Sequence, residues 1–440
     1  MRTIVVGSSI VGIAALAACA HVAGSSSSPA GFVPPLAVRA NAAAFKSLYS
    51  FKGLPDGMSP AAGMVALNGT LYGTTQVGGQ GAAGTVFATS PAGKERVLYS
   101  FGSRGPDAVF PVAGLVVLAG TFYGTASAGG DHGFGAVFKV DKSGNERVLY
   151  SFEGGSDGAD PYAPLVVDKG ALYGTTLVGG GSTTCAQGCG TVFEVTTAGK
   201  EHVLHHFRGG NDGAGPLAGL IVLGSELYGT TADGGKNGGG TIFKTSTSGK
   251  EEVLYSFKGD DDGGEPEAGL LDVGGKLYGT TNAAGKNGDG TVFVTTTAGA
   301  VRALYSFRGG SDGANPEANL IDLKGELYGT TAGGGTPNLG TVFGVSTSGN
   351  EHVVHAFRTT SEGSDPRAPL TVLNGALYGT TSLGGGEFRG DDLQNVTLAA
   401  PLIVVRTITQ RSHSCKQRRS SNSTASRYRN RRIDVARRPM

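Results

Sequence analysis

Aspartate is the residue that most often stands where chemistry could occur in this sequence. Asp-Gly pairs recur at a regular spacing, and Asp260, Asp261 and Asp262 form the densest acidic cluster. Carboxylate oxygens are ligands that Ca²⁺ prefers, so this cluster is the calcium candidate. Asp-Gly is also a tight-turn pair in which glycine adopts a positive φ, and the ligand pattern of an EF-hand is missing. The sequence therefore favours turns, and no metal site is predicted beyond this calcium candidate.

Three histidines, His202, His205 and His206, lie close together in the sequence. Imidazole nitrogens bind zinc, but other copies of the same segment hold Arg, Tyr and Ser in these slots. Alternation along a strand also puts His205 on the face opposite to the other two. We therefore interpret the three histidines as variants of a repeat and not as a metal site.

Two cysteines, Cys185 and Cys189, lie in a five-residue insertion. Outside the cytoplasm, two nearby cysteines form a disulfide more often than a metal site, and no further ligand is adjacent. We expect a disulfide that staples a loop. No catalytic residue and no cofactor is predicted, because the hydroxyl and acidic residues recur in register with the repeat. An active site assembled from single residues of several units would escape this interpretation.

The elements that carry these residues are copies of one unit of about fifty residues. Each copy contains four short β-prone runs separated by turn residues. The 77 glycines and the absence of tryptophan exclude a helical bundle. Four strands per unit at this period indicate an all-β fold, a seven-bladed β-propeller. The tyrosine of Leu-Tyr-Gly-Thr-Thr, or of a close variant, marks the seven copies: Tyr72, Tyr123, Tyr173, Tyr228, Tyr278, Tyr328 and Tyr378.

The chain enters the repeats with an outer strand. If the apolar run before each Leu-Tyr-Gly-Thr-Thr is innermost, the Leu-Tyr-Ser-Phe run is the outermost strand of its blade. The segment Phe45–Phe51 is such a run with no inner strands before it. We expect this N-terminal strand to close the ring by completing the last blade beside Pro369–Leu373 and Ala376–Thr381, which hides sheet edges.

Four motifs recur along the repeats: Gly-x-Leu-Tyr-Gly-Thr-Thr, a glycine-rich spacer, Gly-Thr-Val-Phe, which occurs six times, and Leu-Tyr-Ser-Phe. Examples are Gly275–Thr281, Gly290–Phe293 and Leu304–Phe307. Over residues 45–386 these motifs resemble the GloVer tandem repeat of bacterial choice-of-anchor proteins. The resemblance implies a surface or secreted protein whose membrane attachment differs between members. It implies no reaction and no catalytic residues.

The amino-terminal sequence indicates where the protein is located in the cell. Residues 1–18 have the charged start and short apolar core of a signal peptide. The order Leu16-Ala17-Ala18-Cys19 resembles the lipobox of bacterial lipoproteins, which implies a lipidated Cys19 as a stable anchor. The alternative is an ordinary secretory signal with an incidental cysteine. No aspartate follows Cys19, so the outer membrane is expected. The rest of the segment 19–44, rich in Ala, Ser and Pro, is predicted to be a flexible tether.

Residues 387–440 do not continue the repeat, because the seventh Gly-Thr-Val-Phe is missing. The segment Gly390–Val396 has a possible coding sequence that, read one base later, encodes Gly-Thr-Ile-Phe-Lys-Thr-Ser, the missing strand. We therefore hypothesise a frameshift near Gly386 to Gly390. The alternative is a genuine basic tail that binds anionic lipid, lipopolysaccharide or nucleic acid. Both hypotheses predict a disordered basic tail.

The net charge of +1 combines this basic tail with an acidic body. Residues 387–440 hold twelve Lys or Arg against four Asp or Glu, which leaves about −7 for the rest. Nucleic acid is therefore not expected as a partner of the body. We expect a monomeric, lipid-anchored protein of the bacterial cell envelope that acts as a binding scaffold for a surface protein or glycan. The alternatives are an extracytoplasmic propeller enzyme, a hydrolase or lyase acting on glycans, and a defective frameshifted product.

Overall fold

The computed structural model describes residues 44–385 and, for the backbone alone, residues 401–406. The predicted signal peptide, Cys19, most of the tether and the remainder of the tail lie outside the described residues. Within them, nearly all regular structure is β-strand, with a single 3₁₀ turn at Gly210–Asp212. The prediction of an all-β propeller is confirmed.

The strands form six blades and one composite sheet, all four-stranded and antiparallel. The chain starts with β1 (Ala44–Ser50). Blade 1 follows with β2 (Gly57–Met58), β3 (Val65–Leu67), β4 (Thr70–Thr75), β5 (Val77–Gly78), β6 (Thr85–Thr89) and β7 (Glu95–Ser100). Blade 2 has β8 (Ala108–Val109), β9 (Val116–Leu118), β10 (Thr121–Ala126), β11 (Ala128–Gly129), β12 (Ala136–Val140) and β13 (Glu146–Ser151). Blade 3 has β14 (Val166–Asp168), β15 (Ala171–Thr176), β16 (Thr191–Thr196) and β17 (Glu201–His206).

The remaining strands repeat the pattern. Blade 4 has β18 (Ile221–Leu223), β19 (Glu226–Thr231), β20 (Thr241–Ser246) and β21 (Glu251–Ser256). Blade 5 has β22 (Leu271–Val273), β23 (Lys276–Thr281), β24 (Thr291–Thr295) and β25 (Arg302–Ser306). Blade 6 has β26 (Gly313–Ala314), β27 (Ile321–Leu323), β28 (Glu326–Thr331), β29 (Gly333–Gly334), β30 (Thr341–Ser346) and β31 (Glu351–Ala356). The composite sheet has β32 (Thr371–Leu373), β33 (Ala376–Thr380) and β34 (Pro401–Arg406), and β1 is its fourth strand. The pairs β2 and β5, β8 and β11, and β26 and β29 are separate two-stranded sheets.

The glycine of Leu-Tyr-Gly-Thr-Thr makes room for an aromatic ring of the next strand. In blade 4, Gly229 is paired with Phe243, and a Cβ at Gly229 would lie 2.7 Å from Phe243 Cζ. That distance is far below a van der Waals contact between carbon atoms. The same glycine and phenylalanine face each other in blades 1, 2, 3, 5 and 6. This pairing explains why the second and third motifs of the repeat occur together.

The two threonines of the same motif have different roles. In blade 4, Thr230 donates its hydroxyl to the carbonyl of Ala268 in blade 5, at 3.0 Å. Thr231 instead lies 2.8 Å, Oγ1 to Oγ1, from Thr241 of its own blade. Both threonines are buried, and a buried hydroxyl requires a partner. The first threonine therefore links neighbouring blades, and the second links strands within a blade.

The apolar core lies between the blades. The phenylalanine after each outer strand packs edge-on against the third-strand phenylalanine of the following blade, as Phe257 does against Phe293 with ring centroids 5.2 Å apart. Both rings are fully buried, which makes them large contributors to the apolar area removed from water. Equivalent pairs join β1 to blade 1 and each of blades 1 to 5 to the next.

The composite sheet has the order β1, β34, β33, β32. Its edge meets blade 1, where Thr371 donates to the carbonyl of Met64 at 2.6 Å and Thr380 donates to the carbonyl of Ala62 at 3.5 Å. On its other side, Phe45 stacks on His355 of blade 6 with ring centroids 3.9 Å apart. The N-terminal strand and the last repeat therefore share one sheet.

The prediction of seven blades is corrected to six blades and one composite sheet, because the seventh repeat supplies only β32 and β33. The third strand is β34, which pairs with both β33 and β1. This differs from the expected tail of residues 387–440, in which no ordered strand is predicted. The run Pro-Leu-Ile-Val-Val-Arg is rich in β-branched residues, which favour strands, and it takes the open position between two strands that would otherwise present unpaired edges.

Candidate functional site

The candidate site is a cavity of about 820 Å³, lined by residues from the segments that precede the innermost strands of all seven four-stranded sheets. In every unit, a proline precedes the innermost strand by a few residues, and the residue after this proline lines the cavity. Because the equivalent position of each sheet meets at one place, the cavity is the mouth of the central channel. The seven lining residues at this position are Ala61, Val112, Tyr162, Leu217, Glu267, Glu317 and Arg367.

These seven equivalent positions are chemically unequal. The first four are apolar or aromatic, and Tyr162 keeps 40% of its surface exposed. The last three carry charge and follow one another around the ring. The mouth therefore has an apolar arc on blades 1 to 4 and a charged arc on blade 5, blade 6 and the composite sheet. A repeat that served only to build the ring would not need this difference.

The charged arc is organised by Arg367. Its Nε donates to both carboxylate oxygens of Asp365, each at 2.8 Å, and its Nη1 donates to Glu317 Oε2 at 2.6 Å. Charge-assisted bonds of this kind are among the stronger hydrogen bonds in proteins. The Glu317 side chain is only 15% exposed and that of Arg367 is 48% exposed. The guanidinium is therefore held by two carboxylates while still reaching the open cavity.

Amide side chains extend the charged arc. Asn282 donates its Nδ2 to Glu267 Oε1 at 3.3 Å, and Asn315 donates its Nδ2 to the Asn282 carbonyl at 3.1 Å. The Oδ1 of Asn282 is buried and has no hydrogen-bond partner within the described residues. These residues, with Glu317 and Arg367, also line an adjoining cavity of about 360 Å³. A buried acceptor without a partner is costly unless a water or ligand donates to it.

The two glutamates of this arc hold their protons more strongly than free carboxyl groups do. Burial raises the pKa of Glu317 to about 7, an effect that the nearby Arg367 opposes and that the charge of Glu267 increases. Burial also raises the pKa of Glu267. Carboxyl groups with raised pKa values in a cleft are candidates for general acid chemistry.

Sequence reasoning missed the channel residues. The signal was present, because the residue after the repeated proline changes from apolar to charged in the last three units. The number of residues that vary between repeats is large, however, and only the ring shows which variable position faces the channel. The one-dimensional pattern therefore could not place these residues at the channel mouth.

The aspartates of the Asp-Gly pairs have a structural role between blades. In the loop between blades 4 and 5, Asp262 Oδ2 accepts the hydroxyl of Tyr255 of β21 at 2.7 Å and the Lys258 backbone N–H at 3.1 Å. Asp260 and Asp261 are exposed. The calcium candidate is therefore not a convergent cluster, because Asp262 is turned toward the tyrosine. The same tyrosine and aspartate bond occurs at Tyr49 and Asp56, Tyr99 and Asp107, Tyr150 and Asp157, and Tyr305 and Asp312.

A glutamate of the following blade completes most of these contacts, and we call the resulting set an interblade clamp. In the clamp of blades 2 and 3, Glu201 lies beside Tyr150 and Asp157, and burial followed by the charge of Asp157 raises its pKa to about 8. Burial raises the pKa of the corresponding glutamates to about 7; these are Glu95, Glu146, Glu251 and Glu351.

The three histidines lie on different faces of their strand, as the alternation of side chains along a strand predicts. His202 and His206 are exposed, whereas His205 is half-buried and lies in the clamp position that other blades give to tyrosine. Its Nε2 is 3.3 Å from Asp212 Oδ2. His355 has the same position in blade 6, with Nε2 at 3.6 Å from Glu362 Oε2. The three neighbouring histidines therefore do not form one cluster.

Cys185 and Cys189 are joined by a disulfide, with their Cα atoms 5.3 Å apart. Cys189 is buried, and its backbone carbonyl accepts a hydrogen bond from Gly215 of the next blade. The insertion of blade 3 is thereby attached to blade 4.

In the described part of the chain, no helix has the length and apolar character that a membrane crossing requires. The sequence profile of the Gloeobacter/Verrucomicrobia repeat matches residues 22–186 and 181–391. No curated protein sequence matches the chain.

Several solved structures are similar in fold at low identity. A luciferin-regenerating enzyme is 12% identical, with a TM-score of 0.39 and with 82% of this chain and 95% of that chain covered. A gluconolactonase from Xanthomonas campestris is 14% identical, with a TM-score of 0.40 and with 84% and 91% covered. The endosialidase of phage phi92 is 10% identical, with a TM-score of 0.42 and with 88% and 72% covered. Similarity at this level says nothing about the activity of this chain.

Proposed function

Because this chain belongs to the Gloeobacter/Verrucomicrobia repeat family, we propose that it is a lipid-anchored propeller of the bacterial cell envelope that binds a surface glycan at its channel mouth. The composite sheet closes the ring between blade 6 and blade 1. Cys19 is the lipidated residue, and the protein is placed at the outer membrane. The lipobox-like sequence before Cys19 supports the anchor.

The observation that carries the binding proposal is the unequal distribution of residues around the mouth. A sugar ring has apolar faces and a rim of hydroxyl groups. The exposed Tyr162 offers a flat surface for such a face. Opposite it, Glu267, Glu317 and Arg367 offer donors and acceptors for hydroxyls. The chemistry of the two arcs is therefore complementary to one saccharide ring.

The size of the site favours a small ligand over a folded protein partner. A cavity of about 820 Å³ lies within the usual range of about 300 to 1,000 Å³ for small-molecule sites. A protein partner would instead require a contact area of about 800 Å² on each side. One or a few sugar units fit this volume better than a protein surface does.

The binding test uses the full chain in detergent and a panel of neutral and amino-sugar oligosaccharides, measured by calorimetry. We expect at least one to bind, and we expect Tyr162→Ala to weaken that binding at least tenfold. The matched control is Phe134→Ala, which removes an aromatic ring that is 46% exposed and lies outside the cavity. Equal binding by the two variants, or no binding at all, would refute the proposal.

The lipid anchor is tested by palmitate incorporation. We expect the wild type to incorporate palmitate and Cys19→Ala to lose it.

A second candidate function is glycan hydrolysis or cleavage by a lyase reaction. The observation that favours it is the neighbouring pair Glu267 and Glu317, whose pKa values are both raised by burial. Glycoside hydrolysis commonly uses two carboxyl groups, one protonated and one ionised. Turnover of an oligosaccharide that is lost in both Glu267→Gln and Glu317→Gln would establish the enzyme. If the wild type binds the oligosaccharide without turnover, the enzyme hypothesis is rejected and the binding function is kept.

A further inference from the structure

The interblade clamp between blades 3 and 4 differs from the others in its chemistry. His205, Asp212 and Glu251 each offer one ligand atom, and these atoms lie within 4.8 Å of one another. His205 comes from β17, Asp212 from the loop that follows it, and Glu251 from β21 of the next blade. The three residues are thus brought together across a blade interface.

Asp212 is the charged side chain that faces both His205 and Glu251 closely in this clamp. His205 Nε2 and Glu251 Oε1 are both shielded from solvent, and neither has a hydrogen-bond partner within the described residues. The approach of His205 Nε2 to Asp212 Oδ2 at 3.3 Å is an ion-pair contact. Asp212 Oδ2 is held in place by the backbone N–H of Arg208 at 2.7 Å. The equivalent glutamate oxygens of other clamps also lack a partner, so the feature that singles out this clamp is the meeting of an imidazole nitrogen with two carboxylates, whose unpartnered atoms a bound cation would satisfy.

We propose that His205, Asp212 and Glu251 bind one divalent transition metal ion, with Zn²⁺ as the best fit. An imidazole nitrogen with two carboxylate oxygens suits zinc and its neighbours in the transition series, whereas Ca²⁺ and Mg²⁺ take oxygen ligands. Zinc sites with three protein ligands keep a fourth position for water or another group. The ion links β17 to β21 and so joins two neighbouring blades.

The other clamps are natural controls within the same molecule. Most hold tyrosine where this one holds His205, as Tyr150 does, and the tyrosine hydroxyl is already bonded to Asp157 at 2.8 Å. The second histidine clamp, at His355, has Glu362 at 3.6 Å, but the ring of Phe45 covers the imidazole. Within the described residues, only the clamp of His205 places three such ligands together.

The test measures zinc binding to the full chain in detergent after removal of metals by a chelator. We expect calorimetry to show one Zn²⁺ bound per chain at this site, and we expect Zn²⁺ to raise the Tm. His205→Tyr installs the residue that most clamps hold, so it should fold normally. It should weaken zinc binding at this site at least tenfold and abolish the rise in Tm. Glu251→Gln should have the same effect.

The matched control is His355→Tyr, which makes the same change at the clamp that lacks the third ligand. It should leave the zinc affinity, the stoichiometry and the rise in Tm as in the wild type. Substitution by Co²⁺ adds an independent readout, because a tetrahedral site with a histidine ligand gives visible absorption bands. The proposal is overturned if the wild type binds no zinc in this way, or if His205→Tyr binds it as the wild type does.

Discussion

The residue types of the repeated motif are constrained by the side chains and carbonyl groups of the neighbouring strand or blade. The glycine of Leu-Tyr-Gly-Thr-Thr is an example, because the space for its side chain is already filled. A Cβ at Gly229 would lie 2.7 Å from both Leu220 Cδ2 and Phe243 Cζ. The two threonines that follow it are buried, and their hydroxyl groups make hydrogen bonds. The repeated motif therefore records packing and hydrogen-bonding requirements.

The glycine requirement gives a prediction at the residue scale. Gly229→Ala should lower the free energy of unfolding by about 1 to 3 kcal/mol, because added atoms in a close-packed core force their neighbours to move. The control is Gly105→Ala, where a Cβ would meet nothing within 4 Å, and the change should stay within about 0.5 kcal/mol. Denaturant unfolding of the two variants measures the difference. Equal stability of Gly229→Ala and the wild type would contradict the packing argument.

At the element scale, the blades are joined by three kinds of contact that recur around the ring. These are the paired phenylalanines, the threonine bonds to the carbonyl of the next blade, and the interblade clamps. The first is apolar and insensitive to pH, whereas the clamps contain buried carboxyl groups with raised pKa values. Burial disfavours the charged form of these groups. The clamps therefore make the attachment of the blades dependent on pH.

The direction of this dependence follows from the pKa values. A carboxyl group with a native pKa of about 7 or 8 and an unfolded value near 4.5 binds more protons in the native state. Its contribution to stability is complete below pH 4.5 and is lost as the pH rises through about 7 to 8. Glu201→Gln, which keeps the uncharged shape, should match the wild type at pH 4 and have a higher Tm at pH 9.

Thermal unfolding between pH 4 and pH 9 measures this effect. Glu153→Gln is the control, because the Glu153 side chain is exposed and the residue bonds to the clamp only through its backbone N–H, which donates to Asp157 Oδ2. Its Tm profile should follow that of the wild type. If Glu201→Gln and the wild type have parallel profiles throughout, the clamp does not hold a proton in the native state.

At the scale of the whole molecule, the composite sheet is the place where the regular pattern is broken. The register places Ile403 opposite Gly379, whereas a phenylalanine stands opposite the equivalent glycine in each of the six blades, as Phe243 does. The third strand of this sheet therefore lacks the residue that the repeat uses at this position. The frameshift hypothesis supplies that residue from the same stretch of DNA.

A redesigned chain tests whether the repeat sequence fits this sheet better. The chain ends at residue 396, and its residues 391–396 are replaced by Thr-Ile-Phe-Lys-Thr-Ser, as in blade 4. We expect a Tm above that of the present chain, since the phenylalanine fills the space over Gly379. The control carries alanine in place of that phenylalanine and should lose most of the gain. A Tm at or below the present value would contradict the hypothesis. The nucleotide sequence across codons 383–405 tests the frameshift itself.

The sequence alone determined the features that depend on local spacing. The period of about fifty residues, the four strands per unit and the turns between them follow from hydrophobic pattern and turn residues. The outer-strand character of Phe45–Phe51 was readable for the same reason, because its motif matches the end of each repeat. The family followed from these motifs as well, and the prediction of the family is confirmed.

Only the tertiary structure decided what the distant residues do together. Glu267, Glu317 and Arg367 are fifty residues apart from one to the next, and each looks like an ordinary loop residue in its own repeat. The same holds for His205 and Glu251, which meet only because two blades pack side by side. The position of β34 also depended on the open strand edges that the rest of the ring creates. Spacing along the chain determines local structure, whereas proximity, burial and charge at a site depend on how the whole ring closes.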